Sequence, residues 1–221
     1  FHSHIGSQIT EVDAFIKNAE VMITLSKKLE DKYNYSITDL NLGGGFGIKY
    51  TDEVVSLSEM LEKLAKRIDE LVVNTSIKKV YIEPGRSIVG RSGMTLYTGS
   101  MIKNTYGGKK YLFVDGGMTD NIRPALYQAK YEVINPVRLS GEKVLVDVVG
   151  KCCESGDIVS KDTLISFEAG DPILVLSTGA YGYSMSSNYN SALKPRVLLV
   201  DTDIEEISKK ESLEDLMHLF K

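Results

Sequence analysis

The sequence predicts a chain in two parts. Residues 1–91 read as an α/β part, a parallel sheet or β/α barrel, and residues 92–221 as an antiparallel β-barrel or sandwich. Two observations carry this reading. Before residue 91, short apolar runs alternate with amphipathic helical stretches, the pattern of a parallel sheet with crossover helices. After Gly90, short β-rich runs follow one another between Gly, Asn, Asp or Pro turns, and helical periodicity is largely absent.

Taken in order, Phe1–Gly6 reads as a strand end entering a loop. Thr10 is expected to cap a helix, with Asp13 as its capping-box partner. Val12, Phe15, Ile16, Ala19, Met22, Ile23 and Leu29 then recur at helical spacing. A second strand, Leu40–Leu42, ends in Gly43-Gly44-Gly45, with Gly47 after Phe46. The next helix starts near Ser56, with Glu59 completing a capping box, and buries Leu57, Met60, Leu61, Leu64, Ile68 and Leu71. A third strand, Lys79–Glu83, runs into Pro84-Gly85-Arg86. The β part offers strands at Met94–Met101, Lys110–Val114, Tyr131–Ile134, Val144–Val149, Pro172–Leu176 and Arg196–Asp201. A short helix capped by Ser212 is expected over about 212–220.

Composition removes several function classes. The chain is 43% hydrophobic and 25% charged with formal net charge -4, ordinary for a globular protein. No basic run carries interleaved aromatics, so nucleic acid is not an expected partner. No apolar stretch is long enough for a bilayer, and the opening Phe-His-Ser-His is unlike a signal peptide. The two cysteines, Cys152 and Cys153, are adjacent and suit no disulfide framework, which points to a reducing cytoplasm. No metal is expected.

Sites on such sheets gather at the carboxyl ends of the strands. Here those ends carry His4 and Ser7, Gly43 to Gly45, and Glu83 with Arg86. Three consecutive glycines offer nothing to pack, so they are expected to present bare N–H groups to a ligand phosphate. A carboxylate cannot bind a phosphate, so Glu83 needs a cationic partner. Arg86 and the glycines suit an anion. A ligand with a phosphate at one end and a protonated ring nitrogen at the other satisfies both, and pyridoxal phosphate is such a ligand. In the β part, Arg123 and Tyr127 lie four apart, on one face of any helical turn. Cys153 sits beside Glu154 in a loop bounded by Gly150 and Gly156. Asp115-Gly116-Gly117 reads as a hairpin turn or a site element, and Tyr181 and Tyr183 are flanked by glycines.

These motifs, in this order, resemble the diaminopimelate decarboxylases, of the alanine-racemase-like class of pyridoxal-phosphate enzymes. The matching stretches are His-Ser-His-Ile-Gly-Ser-Gln (2–8), Leu-Gly-Gly-Gly-Phe-Gly (42–47), Glu-Pro-Gly-Arg (83–86) and Val-Asp-Gly-Gly-Met (114–118). Asn-Ile-Arg-Pro-Ala-Leu-Tyr (121–127), Cys-Glu-Ser-Gly-Asp (153–157) and Gly-Ala-Tyr-Gly-Tyr-Ser-Met (179–185) complete the set. The resemblance implies a TIM-type barrel that holds the cofactor and a β domain that completes the site. It implies that His4 stacks on the cofactor ring, and that Ser7, Gly43, Gly44, Gly45, Gly85 and Arg86 hold its phosphate. Glu83 then pairs with the ring nitrogen, and Tyr181 contacts cofactor and substrate. Cys153 is the implied proton donor, and Cys153 with Glu154 reaches across a homodimer interface. The substrate's second amino-acid head has a carboxylate that suits Arg86 and Arg123, with Tyr127 as a hydroxyl donor, and an ammonium that suits Glu154. Two arginines favour meso-diaminopimelate, decarboxylated to L-lysine, over a substrate without a distal carboxylate.

One part of the family pattern is missing. The lysine that forms the Schiff base belongs to an early barrel strand, and no such segment is present. Three strand–helix units are also far short of an eight-stranded barrel. The chain is therefore expected to be a C-terminal half that is inactive alone. The alternatives are a decarboxylase of another diamino acid or carboxylated polyamine, and a non-catalytic binding or assembly module that retains the fold.

Overall fold

The structure is a computed structural model and describes residues 1–218. The chain divides into two compact units, Phe1–Ser92 and Gly93–Lys221. Among the described residues no helix is long and apolar enough to cross a membrane.

The first unit is built on a parallel strand pair with helices against it. Helix α1 spans Val12–Tyr33, strand β1 Asp39–Gly44, helix α2 Leu57–Leu71 and strand β2 Lys79–Glu83. A single turn of helix, α3, follows at Gly85–Val89. The first expected strand is reduced to one parallel bridge, His2 to Asn41, tied by Ser3 N to Asn41 O at 3.0 Å and Asn41 N to Phe1 O at 2.7 Å. The predicted helical stripe is the core. Phe15, Ala19, Met22 and Ile23 from α1, Leu40 and Leu42 from β1, and Met60 and Leu64 from α2 are buried together with Phe46. Phe46 stacks on Phe15 with ring centroids 4.1 Å apart, which pins the glycine loop to the helix. Each such burial is worth about 1.5–3 kcal/mol.

Two capping expectations fare differently. Ser56 accepts from Glu59 N, as the pattern predicts, but the Glu59 carboxylate bonds Lys63 instead of completing a box. Thr10 does not cap α1. The helix starts one residue later, its N-cap is Glu11, and no side chain caps it. The backbone just before Thr10 is taken up by the glycine loop: Ile9 N donates to Gly45 O and Gly47 N to Ile9 O. The extended residue that precedes the helix is then Glu11.

The second unit centres on a six-stranded sheet of order β5-β8-β3-β4-β6-β7. Its strands are β3 (Thr95–Asn104), β4 (Lys110–Val114), β5 (Val133–Ile134), β6 (Val144–Val149), β7 (Ile158–Ile165) and β8 (Pro172–Val175). The sheet is mixed rather than purely antiparallel, because β4 and β6 run parallel. The two edges are linked by side chains: Asn135 donates to Ser166 O at 3.0 Å and Ser160 to Tyr131 O at 3.4 Å. A hairpin of β9 (Val197–Val200) and β10 (Ile204–Ser208) stands as a separate sheet. The unit also holds two short helices, α4 (Arg123–Tyr127) and α5 (Leu213–Met217). Helix α5 has the expected Ser212 cap, reciprocated by Asp215. Residues 219–220 of the expected helix lie outside the described residues.

Strands β7 and β10 escape the sequence pattern. Strand β7 has Ser160-Lys161-Asp162-Thr163 at its centre, and Asp162 adopts φ 52°, breaking the ladder to β6. The buried Asp147 stabilises that irregularity by accepting from Asp162 N at 3.0 Å and pairing with Lys109 at 2.6 Å. Strand β10, Ile-Glu-Glu-Ile-Ser, has no apolar alternation, because its two isoleucines are three residues apart and both are exposed.

Candidate active site

In the first unit the predicted residues gather at the carboxyl ends of β1 and β2. Gly44 pairs with Glu83 in the parallel ladder. The three glycines are there for close approach. A Cβ on Gly43 would lie 2.3 Å from Ser3 O, one on Gly44 2.0 Å from Glu83 O, and one on Gly45 2.0 Å from Gly6 O. Gly43 and Gly45 also have φ of 71° and 98°, which side-chain-bearing residues rarely adopt. The segment 3–7 and strand β2 therefore press directly on the loop. This corrects the expectation that the glycines have no packing role.

It also corrects the expectation of bare N–H groups at 43 and 44. Gly43 N donates to Asn41 Oδ1 at 2.8 Å, and Gly44 N donates to His4 Nδ1 at 3.3 Å. An imidazole that accepts at Nδ1 carries its proton on Nε2. His4 is exposed, with its ring beside the glycine turn. Ser7 is exposed as well, and its Cα would lie 3.6 Å from a Cβ on Gly45.

Glu83 is half exposed. Its Oε1 accepts from Asn41 Nδ2 at 2.8 Å and lies 3.5 Å from His2 Nε2. Gly85 opens α3 and faces open space, with no atom within 4 Å of where its Cβ would be. Arg86 donates from Nη1 to Gln8 Oε1 at 3.1 Å and lies over the Tyr50 ring at 5.8 Å. Gln8 is itself locked to the loop: Nε2 donates to Ile48 O at 2.6 Å, and Oε1 accepts from Ile48 N at 3.2 Å. The unit thus brings together His4, Ser7, Gly43 to Gly45, Glu83, Gly85 and Arg86. The polar side chains among them are a carboxylate, an imidazole, a hydroxyl and a guanidinium.

The second unit gathers its predicted residues by itself. Arg123 is buried in α4, donates from Nε to Tyr131 OH at 3.1 Å, and lies 5.1 Å from both the Tyr127 and the Tyr181 ring. Arg123 lies inside, while the Tyr127 and Tyr181 rings are partly exposed. Stacking on two aromatic faces compensates a buried guanidinium. Tyr181 has φ 63°, uncommon for an aromatic residue. The Cys153 loop lies against α4, since Gly156 would touch the Ala125 side chain at 3.6 Å through a Cβ. Cys153 and Glu154 are exposed, and Glu154 accepts a short bond from Tyr189 OH. That bond, with partial burial, raises the Tyr189 phenol above its ordinary pKa. Burial, then the Asp157 charge, pushes the Cys152 thiol up.

Asp157 ties these loops together. It is buried and accepts from Met118 N and Cys152 N, each at 2.6 Å. A Cβ on Gly117 or on Gly150 would come within 2.3 Å of its Oδ1. The Asp115-Gly116-Gly117 turn is therefore shaped to admit this carboxylate. Ser187 N donates to Thr119 O at 2.9 Å, which adds the tyrosine-bearing loop to the same group.

Sequence reasoning singled out neither Asn41, Gln8 nor Asp157 for a role. Gln8 and Asp157 stand inside quoted motifs but carry no obvious ligand chemistry. Asn41 alternates with Leu40 and Leu42 and so reads as a solvent-face residue. Its spacing of two from Gly43 is the available signal, since Asn side chains accept from the N–H two residues on.

The family model for the pyridoxal binding domain of pyridoxal-dependent decarboxylases matches residues 1–90. Over 225 residues the chain is 44% identical to the diaminopimelate decarboxylase of Bacillus subtilis, covering 99% of this chain and 51% of that protein. The Staphylococcus aureus diaminopimelate decarboxylase is 43% identical over 223 residues, covering 98% and 52%. The crystal structure of the M. jannaschii diaminopimelate decarboxylase in co-complex with L-lysine superposes with a TM-score of 0.92 at 32% identity, covering 100% of this chain and 51% of that one. The chain spans about half the length of the curated relatives it matches. In sequence and in fold the chain is thus similar to the diaminopimelate decarboxylases, over about half of their length, and its residues 1–90 match the pyridoxal binding domain of pyridoxal-dependent decarboxylases.

Proposed function

We propose that this chain supplies part of the active site of an enzyme that decarboxylates meso-diaminopimelate to L-lysine and carbon dioxide. The cofactor of the family is pyridoxal phosphate. One observation carries the reading: Glu83 and the glycine turn are neighbours in the ladder, so one ligand can touch both.

The residues suit that ligand. Glu83 offers an anion to the ring nitrogen. Arg86, Ser7, Gly45 and Gly85 stand where a phosphate needs donors, and the open space over Gly85 leaves room for it. The Gly43 and Gly44 N–H groups, already bonded within the protein, shape the turn. His4 lies beside that turn with its ring free to face the pyridine. When bound, pyridoxal phosphate would supply an electron sink for the pair left on the α-carbon as carbon dioxide departs, and a protonated ring nitrogen favours this. Glu83 keeps a negative charge at that nitrogen and so holds its proton there.

In the second unit, Arg123 presents a guanidinium beside two tyrosine rings, suited to the distal carboxylate, with Tyr127 as the proposed hydroxyl donor. Tyr181 stands against that group and is the contact proposed for substrate and cofactor. Glu154 suits the distal ammonium, and Cys153 is the proton donor to the α-carbon. Arg86 is assigned to the phosphate first and to the substrate second. Cys153 and Glu154 act across a homodimer interface in this proposal.

In this proposal the chain supplies later barrel strands and the β domain. The lysine that holds the cofactor would come from the remainder of the relatives' length. The compartment proposed is the cytoplasm, where thiols such as Cys153 stay reduced.

The test is Glu83→Gln in the full-length protein, assayed by lysine formation from meso-diaminopimelate. Turnover is expected to fall about a hundredfold or more, as for a lost preorganised charge, with cofactor capture largely kept. Unchanged turnover would remove the ring-nitrogen role. Activity on ornithine rather than meso-diaminopimelate would replace the substrate.

A further inference from the structure

We infer that Asn41 is a positioning residue that orients the Glu83 carboxylate and couples it to the glycine turn. The inference rests on the proposed pairing of Glu83 with the cofactor ring.

Asn41 stands where three pieces of chain meet. Its backbone bonds Phe1 O and Ser3 N, and its side chain bonds both the loop and β2. In the ladder, Asn41 is opposite Tyr81. Residues two apart in a strand share a face, so Asn41 and Glu83 are diagonal neighbours on one side of the sheet. The previous diagonal shows the same relation, with Tyr81 OH on Asp39 Oδ1 at 3.0 Å.

The two ends of the amide are chemically distinct, and each has one suitable partner. Gly43 N needs an acceptor and takes Oδ1 at 2.8 Å. That turns Nδ2 to the carboxylate, where it donates to Glu83 Oε1 at 2.8 Å. No flip of the amide satisfies both contacts. His2 also faces Oε1, but at 3.5 Å it is the weaker hold. With Oε1 engaged by Asn41, Oε2 would be the oxygen left to face the ring nitrogen of a bound cofactor. The same amide fixes the turn that leads to Gly45. Ring end and phosphate end are therefore referenced to one side chain.

Serine at this position separates the two arms. Its hydroxyl can accept from the N–H two residues on but is too short to reach Glu83. Leucine removes both arms at similar volume. The experiment uses the full-length protein carrying Asn41→Ser, Asn41→Leu or Glu83→Gln. It measures pyridoxal phosphate affinity, the ring-nitrogen resonance of ¹⁵N-labelled cofactor, and kcat and KM. Asn41→Ser should keep cofactor affinity within about threefold, lower kcat about tenfold at unchanged KM, and move the ring-nitrogen signal toward the unprotonated value. Asn41→Leu should show the same kcat loss and bind the cofactor about tenfold more weakly. If Asn41→Ser keeps the wild-type signal and kcat while Glu83→Gln loses them, the positioning role is wrong and the Glu83 assignment stands. If Glu83→Gln also keeps both, the underlying reading of the site fails, and this inference with it.

Discussion

Two glycine clusters, one in each unit, solve different problems. At Gly43 to Gly45 every added Cβ would strike a main-chain carbonyl: Ser3 O, Glu83 O or Gly6 O. At Gly116, Gly117 and Gly150 it would strike side chains, namely the Tyr97 ring, Asp120 and the Asp157 carboxylate. Main chain cannot be trimmed or rotated away, whereas a side chain can be replaced. The first cluster is thus constrained by the fold itself, and the second by a choice of partner residue.

The largest expected effect follows from the first case. Gly44→Ala in the full-length protein should cost about 3 kcal/mol or more, because overpacking against backbone has no cheap relief. The measurement is the urea midpoint by circular dichroism, and no second-site change at 83 should restore it. A loss below about 1 kcal/mol would show that β2 can yield. Gly150→Ala comes next, at about 1–3 kcal/mol. Here Asp157→Ser should be strongly non-additive with it, since the smaller side chain vacates the space that the added methyl needs. Strict additivity would end the distinction between the clusters.

The smallest effect is a pH dependence. Burial, and the neighbouring Asp157 charge, hold the Asp120 carboxyl above its ordinary value of 3.8, while the Gly117 N–H bond opposes the shift. An acid raised on folding keeps its proton better in the folded state. Its favourable contribution is present below pH 3.8 and is lost as pH rises through the folded value. Asp120→Asn keeps an acceptor for Gly117 N and removes the charge. Its urea midpoint should therefore fall less between about pH 4 and pH 7 than that of the wild type. Parallel profiles would mean that Asp120 titrates normally.

The core of the first unit was legible because Phe15, Ala19, Met22, Leu40 and Leu42 follow plain helical and strand periods. Strand β2 matched to the residue for the same reason. The placing of Glu83 beside the glycines was legible from chemistry at two strand ends. What stayed hidden depends on long-range approach. The duty of Gly43 to Gly45 is set by segments far away along the chain in both directions, residues 3–6 and residue 83, and no local pattern carries that. Asn41 was masked by ordinary alternation, and Thr10 resembled a cap that a backbone pairing displaced. In the second unit, Asp162 breaks β7 at the one point where Asp147 can repair it.

The ladder between β1 and β2 slips between Asn41 and Gly44, so that three steps on one strand answer two on the other. Side chains in a strand change sides with every residue. The number of residues in the turn is then as constrained as their kind. A chain shortened by one glycine would keep its hydrophobic pattern and still turn Gly44's successors to the opposite face of the sheet. Gene variants that insert or delete a codon here should be more damaging than most single exchanges around them.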